Sequence, residues 1–421
     1  MADALVIVGA SYAGVQLAAS ARDMGFAAPI VLLGDELHAP YQRPPLSKGL
    51  LSGKTSADQL ALRGPDFYAE QQIELRLGVR ATAIDPAARR VQLDDGSHLD
   101  YGWLALATGA RCRPLPLPGA QLKGVHELRT LDDALAVHAA LDACGPGKRA
   151  CVIGGGFIGL EVAAALTASG TQVTVIEGQP RLLARSFPPM MSAYVAAAHR
   201  KRGVTLELGC GVQALQGDDG GQVRSVRLAN GQVLPCDRVV LGIGVVPNVE
   251  LAQAAGIECA DGILVDGLGR TSAPHVLAMG DVANMVLPAV PGGPERMRLE
   301  SIQAANDGAR AAASLIAGQP QPLSAVPWFW SEQHDLKFQM AGIPAPGDQV
   351  VTRGDMGSDR FTQFYVRGGA VAAAHSVNRP AEHMLARKLI ANRAVIPAEV
   401  LADPEADLKP FSTIPNFRPA G

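Results

Sequence analysis

The chain lacks any run of about 18 uninterrupted apolar residues, so no membrane-spanning helix is expected. It also lacks a basic segment ahead of its first apolar stretch, which Gly9, Ser11 and Gly14 interrupt. Met1–Ala28 therefore reads as a buried strand and turn rather than a leader. Cysteine is sparse: six residues, at 112, 144, 151, 210, 236 and 259, with no C-x-x-C pair. That spacing builds neither a zinc knuckle nor a redox-active dithiol, and points to reduced, mostly buried thiols in a cytoplasmic protein. Nine histidines show no H-x-x-x-H or Cys–His clustering, so no metal site is expected. An excess of basic charge is missing too; a formal net charge of −3 provides no overall field to gather nucleic-acid phosphates.

What is present describes a globular protein, with 48% hydrophobic and 18% charged residues. At 421 residues, about two to three domains are expected. Gly 46 and Pro 30 imply many tight turns. The most informative feature is a repeat. The apolar run Ala4–Val8 leads into Gly9-Ala-Ser-Tyr-Ala-Gly14 and then helical sequence. A whole domain further on, Ala150–Ile153 leads into Gly154-Gly-Gly-Phe-Ile-Gly159 and the helix 160–168. In such a unit the first glycine makes the turn and the second admits a pyrophosphate. The third lets helix and strand pack closely, and the helix N-terminus carries partial positive charge. Ser11 stands where the first unit should have its second glycine. A second strand follows each fingerprint and ends in acid: Asp35 after 30–33, and Glu177 after 171–176. A carboxylate there accepts from ribose hydroxyls, so two dinucleotides are expected. Glu177 would repel a 2′-phosphate and favours NADH, a preference that Arg181 and Arg185 could soften.

Three more motifs carry a family resemblance: Leu104-Ala-Leu-Ala-Thr-Gly-Ala110, Val276-Leu-Ala-Met-Gly-Asp-Val282 and Pro40-Tyr-Gln-Arg-Pro-Pro-Leu-Ser-Lys48. With them, the chain resembles the two-dinucleotide-domain flavoproteins related to glutathione reductase, the class I pyridine nucleotide-disulfide oxidoreductase superfamily. Arg43-Pro-Pro-Leu-Ser-Lys48 is similar to one branch, the FAD-dependent, putidaredoxin reductase-like ferredoxin reductases of cytochrome P450 and Rieske dioxygenase systems. The likeness spans essentially the whole chain, including Pro327-Trp-Phe-Trp-Ser331 and Gly242-Ile-Gly-Val-Val-Pro247.

The resemblance implies that Lys48 and Glu161 form a pair beside the flavin, with Glu161 in the first turn of its helix and Lys48 near flavin N5. It implies FAD contacts from Gly9, Ser11, Gly14, Asp35, Arg43, Thr108, Gly109, Arg113, Asp281, Ile302 and Trp330. For NAD it implies Gly154, Gly156, Ile158, Gly159, Glu177, Arg185, Gly242, Gly244 and Glu300. Ile302 stands where some relatives carry a flavin-stacking tryptophan. The Pro44–Lys48 stretch holds Ser47 and no thiol, unlike the disulfide reductases of the superfamily. Electrons would then pass from NADH to FAD and onward singly to a [2Fe–2S] ferredoxin. A docking face for an acidic partner would draw on Arg310, Lys337, Arg387, Lys388, Arg393 and Lys409. Two alternatives stay open: an NADH oxidase or quinone reductase of the same fold, and an NADH-sensing binding protein similar to apoptosis-inducing factor.

The expected fold class is α/β, with two Rossmann-like units in a glutathione reductase-like arrangement and an α+β C-terminal domain. The FAD domain would comprise 1–114 and 246–323, the NADH domain 115–245 and the C-terminal domain 324–421. In the last, the alternating runs 361–366 and 369–375 predict an antiparallel sheet packed against the flavin domain, followed by a helix over 381–390.

Overall fold

The computed structural model describes residues 3–142, 147–287 and 294–413. Leu5–Val8 is buried along its whole length, as a strand covered on both faces must be. It forms the centre of a five-stranded sheet ordered Ile73–Leu77, Ile30–Gly34, Leu5–Val8, Trp103–Leu106, Val276–Ala278. Every neighbouring pair in it is parallel. The sheet therefore takes strands from two stretches separated by more than a hundred residues of chain. The helix Tyr12–Asp23 crosses over one face and packs against Ile302–Ile316, whose Ala309, Ala312 and Ala313 let the two helices approach closely.

A second five-stranded sheet repeats the plan in the order Thr205–Leu208, Gln172–Glu177, Arg149–Ile153, Arg238–Leu241, Val125–His126. It too is all parallel. Its crossover helix is Phe157–Ala168. The chain passes between the two units through antiparallel pairing of Ala110–Cys112 with Val245–Pro247.

The C-terminal unit is a five-stranded antiparallel sheet, in the order Trp328–Gln333, Leu336–Gly342, Ala370–Val377, Arg360–Arg367, Gln349–Asp355. The helix Pro380–Ala391 covers one face, burying Leu389 and Ile390 against Phe364 and Ala374. The other face departs from expectation, because it lies chiefly against the second nucleotide unit. Phe338 and Phe361 pack with Phe187 and Tyr194, and the Phe329 and Phe157 rings sit 4.8 Å apart. The polar–apolar alternation of these strands does not mark a solvent face, because the polar members are buried and satisfied. On this face Gln363 accepts from the Tyr365 hydroxyl at 3.1 Å, and on the helix-covered face Thr362 donates to Glu382 at 2.5 Å. Glu382 in turn pairs with buried Arg353 at 2.7 Å.

Cys151 and Cys236 are buried; Cys112, Cys210 and Cys259 are only partly so, and Cys144 lies outside the described residues. Among the described residues no helix is long and apolar enough to cross a membrane.

The C-terminal unit also buries imidazoles. Burial pushes His375 down to about 3 from an ordinary 6.5, and burial, with Arg387 nearby, takes His383 down to about 4. The unfolded chain takes up these protons near pH 6.5 and the folded chain only far below it. Stability is therefore full above that pH and is lost as the pH falls toward 4. Each histidine contributes a slope of about 1.4 kcal/mol per pH unit in this window. We expect the thermal midpoint to fall between about pH 7 and pH 4.5, and to fall less steeply in His375→Phe. A midpoint flat across that window would contradict neutral burial of both rings.

Candidate functional site

Both crossover helices start at a glycine cradle with no room for a side chain. A Cβ on Gly9 would meet Ala107 O at 2.1 Å, and one on Gly14 would meet Gly9 O at 2.0 Å. In the second unit a Cβ on Gly154 would meet Gly242 O at 2.3 Å, and one on Gly159 would meet Gly154 O at 2.1 Å. Gly242 is thus the close neighbour that makes Gly154 obligatory. Gly156 differs: its Cβ position is open, with nothing within 4 Å. Neither helix has an acid in its first turn or a side-chain cap, so its first N–H groups are left to an anion. Ser11 occupies the N-cap without capping; its hydroxyl faces Arg43 Nε at 3.4 Å instead. These cradles fit the diphosphates of FAD and NAD.

Around the first cradle lies a connected set of charges. Arg43 donates to Glu36 at 2.6 Å and to the Arg129 carbonyl at 2.7 Å. Arg129 reaches Asp281 at 2.8 Å. Tyr41 donates its hydroxyl to Glu36 at 2.5 Å and accepts from Leu131 N at 2.9 Å. Burial disfavours the Arg43 charge, but Tyr41, Glu36 and Asp281 outweigh it and hold the guanidinium above its usual range. Thr108 and Asn248 bond reciprocally, hydroxyl to carbonyl and amide to carbonyl, each at 2.8 Å. Gly109, at φ +64, turns beside the Arg129 guanidinium.

Asp35 is placed differently from Glu177. Strand pairing sets Val8 opposite Leu33 and Ile153 opposite Ile176, so Gly34 is the counterpart of Glu177. A side chain there would press on Ala10 Cβ at 2.9 Å. Asp35 lies one residue on, exposed, facing Arg80 at 3.4 Å. Glu177 accepts from Gly155 N at 2.7 Å and Gln179 N at 2.8 Å, which ties the strand end to the glycine turn. Arg181 turns inward to the carbonyls of Phe187 and Ala184 and to Ser192 Oγ. It is therefore committed to its own loop. Arg185 remains exposed, with its guanidinium beside Gly244.

The two units meet at one carboxylate. Glu161 is 2% exposed. Its Oε2 takes Lys48 Nζ at 2.7 Å and Ser47 Oγ at 2.5 Å, and its Oε1 takes Ser331 Oγ at 2.6 Å. The helix begins at Phe157, so Glu161 opens the second turn and not the first. From there it points back past the cradle onto the short 3₁₀ turn Pro44–Ser47.

The remaining expected residues are more dispersed. Ile158 is 45% exposed on the second helix's first turn. Exposed Arg113 sits at the strand crossing, its N–H bonded to Gly244 O at 2.9 Å. Ile302 is half-buried behind its N-cap Ser301, and Glu300 is exposed and paired with Arg298. Trp330 stacks on Trp328 at 5.6 Å, and Arg387 covers Trp328 at 4.7 Å. Of the expected basic face, Arg310 is tied to Asp307 at 2.9 Å and Lys337 faces Glu332 at 3.6 Å; Lys388, Arg393 and Lys409 are exposed. Glu36, Tyr41, Arg129, Asn248 and Ser331 were missed. Tyr41 and Ser331 lay inside quoted motifs, but only the fold brings Arg129 and Asn248 to Asp281 and Thr108.

A family model described as pyridine nucleotide-disulphide oxidoreductase matches residues 3–309, and a reductase C-terminal model matches 328–412. Rhodocoxin reductase of Rhodococcus erythropolis is 43% identical over 405 residues, covering 96% of this chain and 93% of that protein. Putidaredoxin reductase of Pseudomonas putida is 38% identical, covering 97% and 96%. Among solved structures, a ferredoxin reductase from Rhodopseudomonas palustris superposes with a TM-score of 0.93 at 41% identity, covering 98% of this chain and all of that one. A covalent putidaredoxin reductase–putidaredoxin complex gives 0.93 at 37% identity, covering 97% and 98%.

Replacing Glu177 by Gln sets an N–H₂ against a backbone N–H and removes the charge. We expect NADH to bind about tenfold more weakly and its advantage over NADPH to shrink, because a charge-assisted bond of roughly 1.5–3 kcal/mol is lost. Dissociation constants for both nucleotides, by fluorescence titration, decide it; an unchanged ratio counts against the carboxylate.

Proposed function

We propose, on the premise that this chain belongs to the pyridine nucleotide-disulphide oxidoreductase family and ends in a reductase C-terminal domain, that it is an FAD-dependent ferredoxin–NAD(+) reductase. It would serve a cytochrome P450 or Rieske oxygenase through a [2Fe–2S] protein. The observation that carries this reading is the junction of Lys48, Glu161, Ser47 and Ser331. It joins the two nucleotide cradles and offers hydroxyls where a dithiol relay would need sulfur.

Bound FAD supplies the ability to accept a hydride and to release electrons one at a time. The chain's own residues supply position and charge. Gly9–Gly14, Arg43, Arg129 and Asp281 would hold the flavin nucleotide, and Gly154–Gly159 with Glu177 the nicotinamide nucleotide. Of the three N–H groups on Lys48, one serves Glu161 and another the Pro44 carbonyl at 3.3 Å; the third is left for a cofactor atom. The Glu161 carboxylate fixes that ammonium while being too enclosed to admit bulk water, so the lysine presents its charge in a low-dielectric setting.

Electrons would leave on the C-terminal side. Trp328, Trp330 and Arg387 form one stack there, and Met384 is 54% exposed on the same helix as Arg387 and Lys388. A cation-rich rim around an apolar centre suits an acidic iron–sulfur protein.

Stopped-flow mixing of the yellow protein with NADH, then with a panel of [2Fe–2S] proteins, tests the function. Flavin bleaching followed by transfer to at least one of them is expected. Transfer to oxygen or quinone alone would replace the ferredoxin reading. For the docking face, the charge reversal Arg387→Glu with Lys388→Glu should slow ferredoxin reduction about tenfold or more at low salt, with the gap narrowing as salt rises. Equal ferredoxin kinetics in the double variant would remove both residues from the contact.

A further inference from the structure

A buried polar chain runs from the Glu161 carboxylate away from both cradles. Ser331 Oγ is followed by Gln333 Nε2 at 3.1 Å, and Gln333 Oε1 by His199 Nε2 at 2.9 Å. His199 Nδ1 is followed by His334 Nε2 at 3.4 Å. Ser331, Gln333 and His199 are wholly buried. Ser331 and Gln333 are two apart on the strand Trp328–Gln333, so their side chains share a face. His199 comes from the helix Pro189–Lys201 of the second nucleotide unit, so the chain crosses between units.

Donor and acceptor chemistry sets its direction. A carboxylate bound to an ammonium only accepts, so the Ser331 hydroxyl gives its proton to Glu161 Oε1. The Ser331 oxygen then accepts from the Gln333 amide N–H₂. The Gln333 carbonyl is left to accept, which requires the His199 proton to be on Nε2. Burial keeps His199 below its usual range and so neutral, leaving Nδ1 bare to accept from His334 Nε2–H. Every link donates toward Glu161, and successive links polarise one another in the same sense.

We infer that His199 and Gln333 are positioning residues for the hydride site. Through Ser331 they aim one hydroxyl proton at Oε1 of Glu161, which leaves Oε2 to Lys48 and Ser47. Burying an amide and an imidazole in series is costly unless each polar atom is used, and here the carbonyl and amino groups of Gln333 and both nitrogens of His199 are. The charged and titratable groups around the outer end are Arg202, which binds Asp335 at 2.5 Å and Asp359 at 3.0 Å, and Tyr194, which donates to Asp359 at 2.7 Å. At the inner end Lys48 faces the carboxylate. Among the described residues none of these groups hydrogen-bonds the Ser331 or Gln333 side chain.

This inference rests on the reductase reading, and its test separates the two. His199→Leu and Gln333→Met remove the chain's links with little change of volume, while His199→Gln restores a donor near Nε2. The measurements are the rate of flavin reduction by NADH against pH, and the flavin midpoint potential against pH. Without the links behind it the Ser331 hydroxyl is free to turn away from Oε1, and hydrogen bonds to a carboxylate favour its charged form. In the Leu and Met variants the acid limb should therefore move to higher pH, with the rate near pH 6 down about tenfold. The potential–pH curve should be displaced with it, and His199→Gln should return both toward the wild type. Wild-type profiles in His199→Leu, or equal impairment in the Gln and Leu variants, would make His199 a packing residue and overturn the inference. Should His199→Leu not retain flavin, Gln333→Met alone decides by the same two curves. A wild-type protein that holds no flavin would sink the reductase reading instead.

Discussion

One buried carboxylate draws on all three units of this protein. Glu161 belongs to the inserted nucleotide unit, Ser47 and Lys48 to the N-terminal unit and Ser331 to the C-terminal sheet. A carboxylate that is 2% exposed is tolerable only with its oxygens satisfied, so the three units are held to one mutual arrangement by the cost of leaving it bare. Such a pair adds little to stability compared with an apolar replacement. What it supplies is registration: the lysine ammonium can be offered at the seam only when all three pieces are docked.

That dependence explains why the C-terminal sheet sits where it does. Its inner face meets Phe157, Phe187 and Tyr194 of the second unit, and its first strand delivers Ser331 to the carboxylate. It touches the first unit more lightly, through Trp328 N–H donating to Gln303 at 3.0 Å. An outer domain clamped to the inserted unit fixes the carboxylate helix directly, whereas one clamped to the first unit would leave the insert free to tilt.

The two cradles were legible in the sequence because their constraint is local. A glycine with no room for a Cβ leaves its mark within six residues, and Gly9, Gly14, Gly154 and Gly159 all carry that mark. The Lys48–Glu161 pair could be named only through family likeness, since more than a hundred residues separate them and nothing local couples the two. Arg129 and Asn248 left no sequence signal, because their partners Asp281 and Thr108 are reached across the sheet and not along the chain. Which unit covers most of the last sheet was not legible either, because a strand's own pattern does not name its partner across a domain border. Buried glutamine, threonine and histidine look like a solvent face until their hydrogen-bond partners are seen. Arg181 is a similar case, since sequence proximity to Glu177 says nothing about a guanidinium that two carbonyls of its own loop and Ser192 of the next helix have already claimed.

The same fold used twice carries different charged groups around its two turns. At the first cradle the strand ends in Gly34 and the following acid is exposed; half-buried Arg43, paired with Glu36, reaches Ser11 at the turn, and half-buried Arg129, paired with Asp281, lies beside Gly109. At the second the strand ends in Glu177, the Arg185 guanidinium stays exposed beside Gly244, and Gly156 and Ile158 lie open. A charge-assisted bond from a guanidinium to a diphosphate is about twice as strong as a neutral one. On the function proposed, the first cradle would keep its ligand and the second would exchange it. A resident acceptor served by a diffusing donor requires that asymmetry, and it follows from where four charged side chains fall around two nearly identical turns.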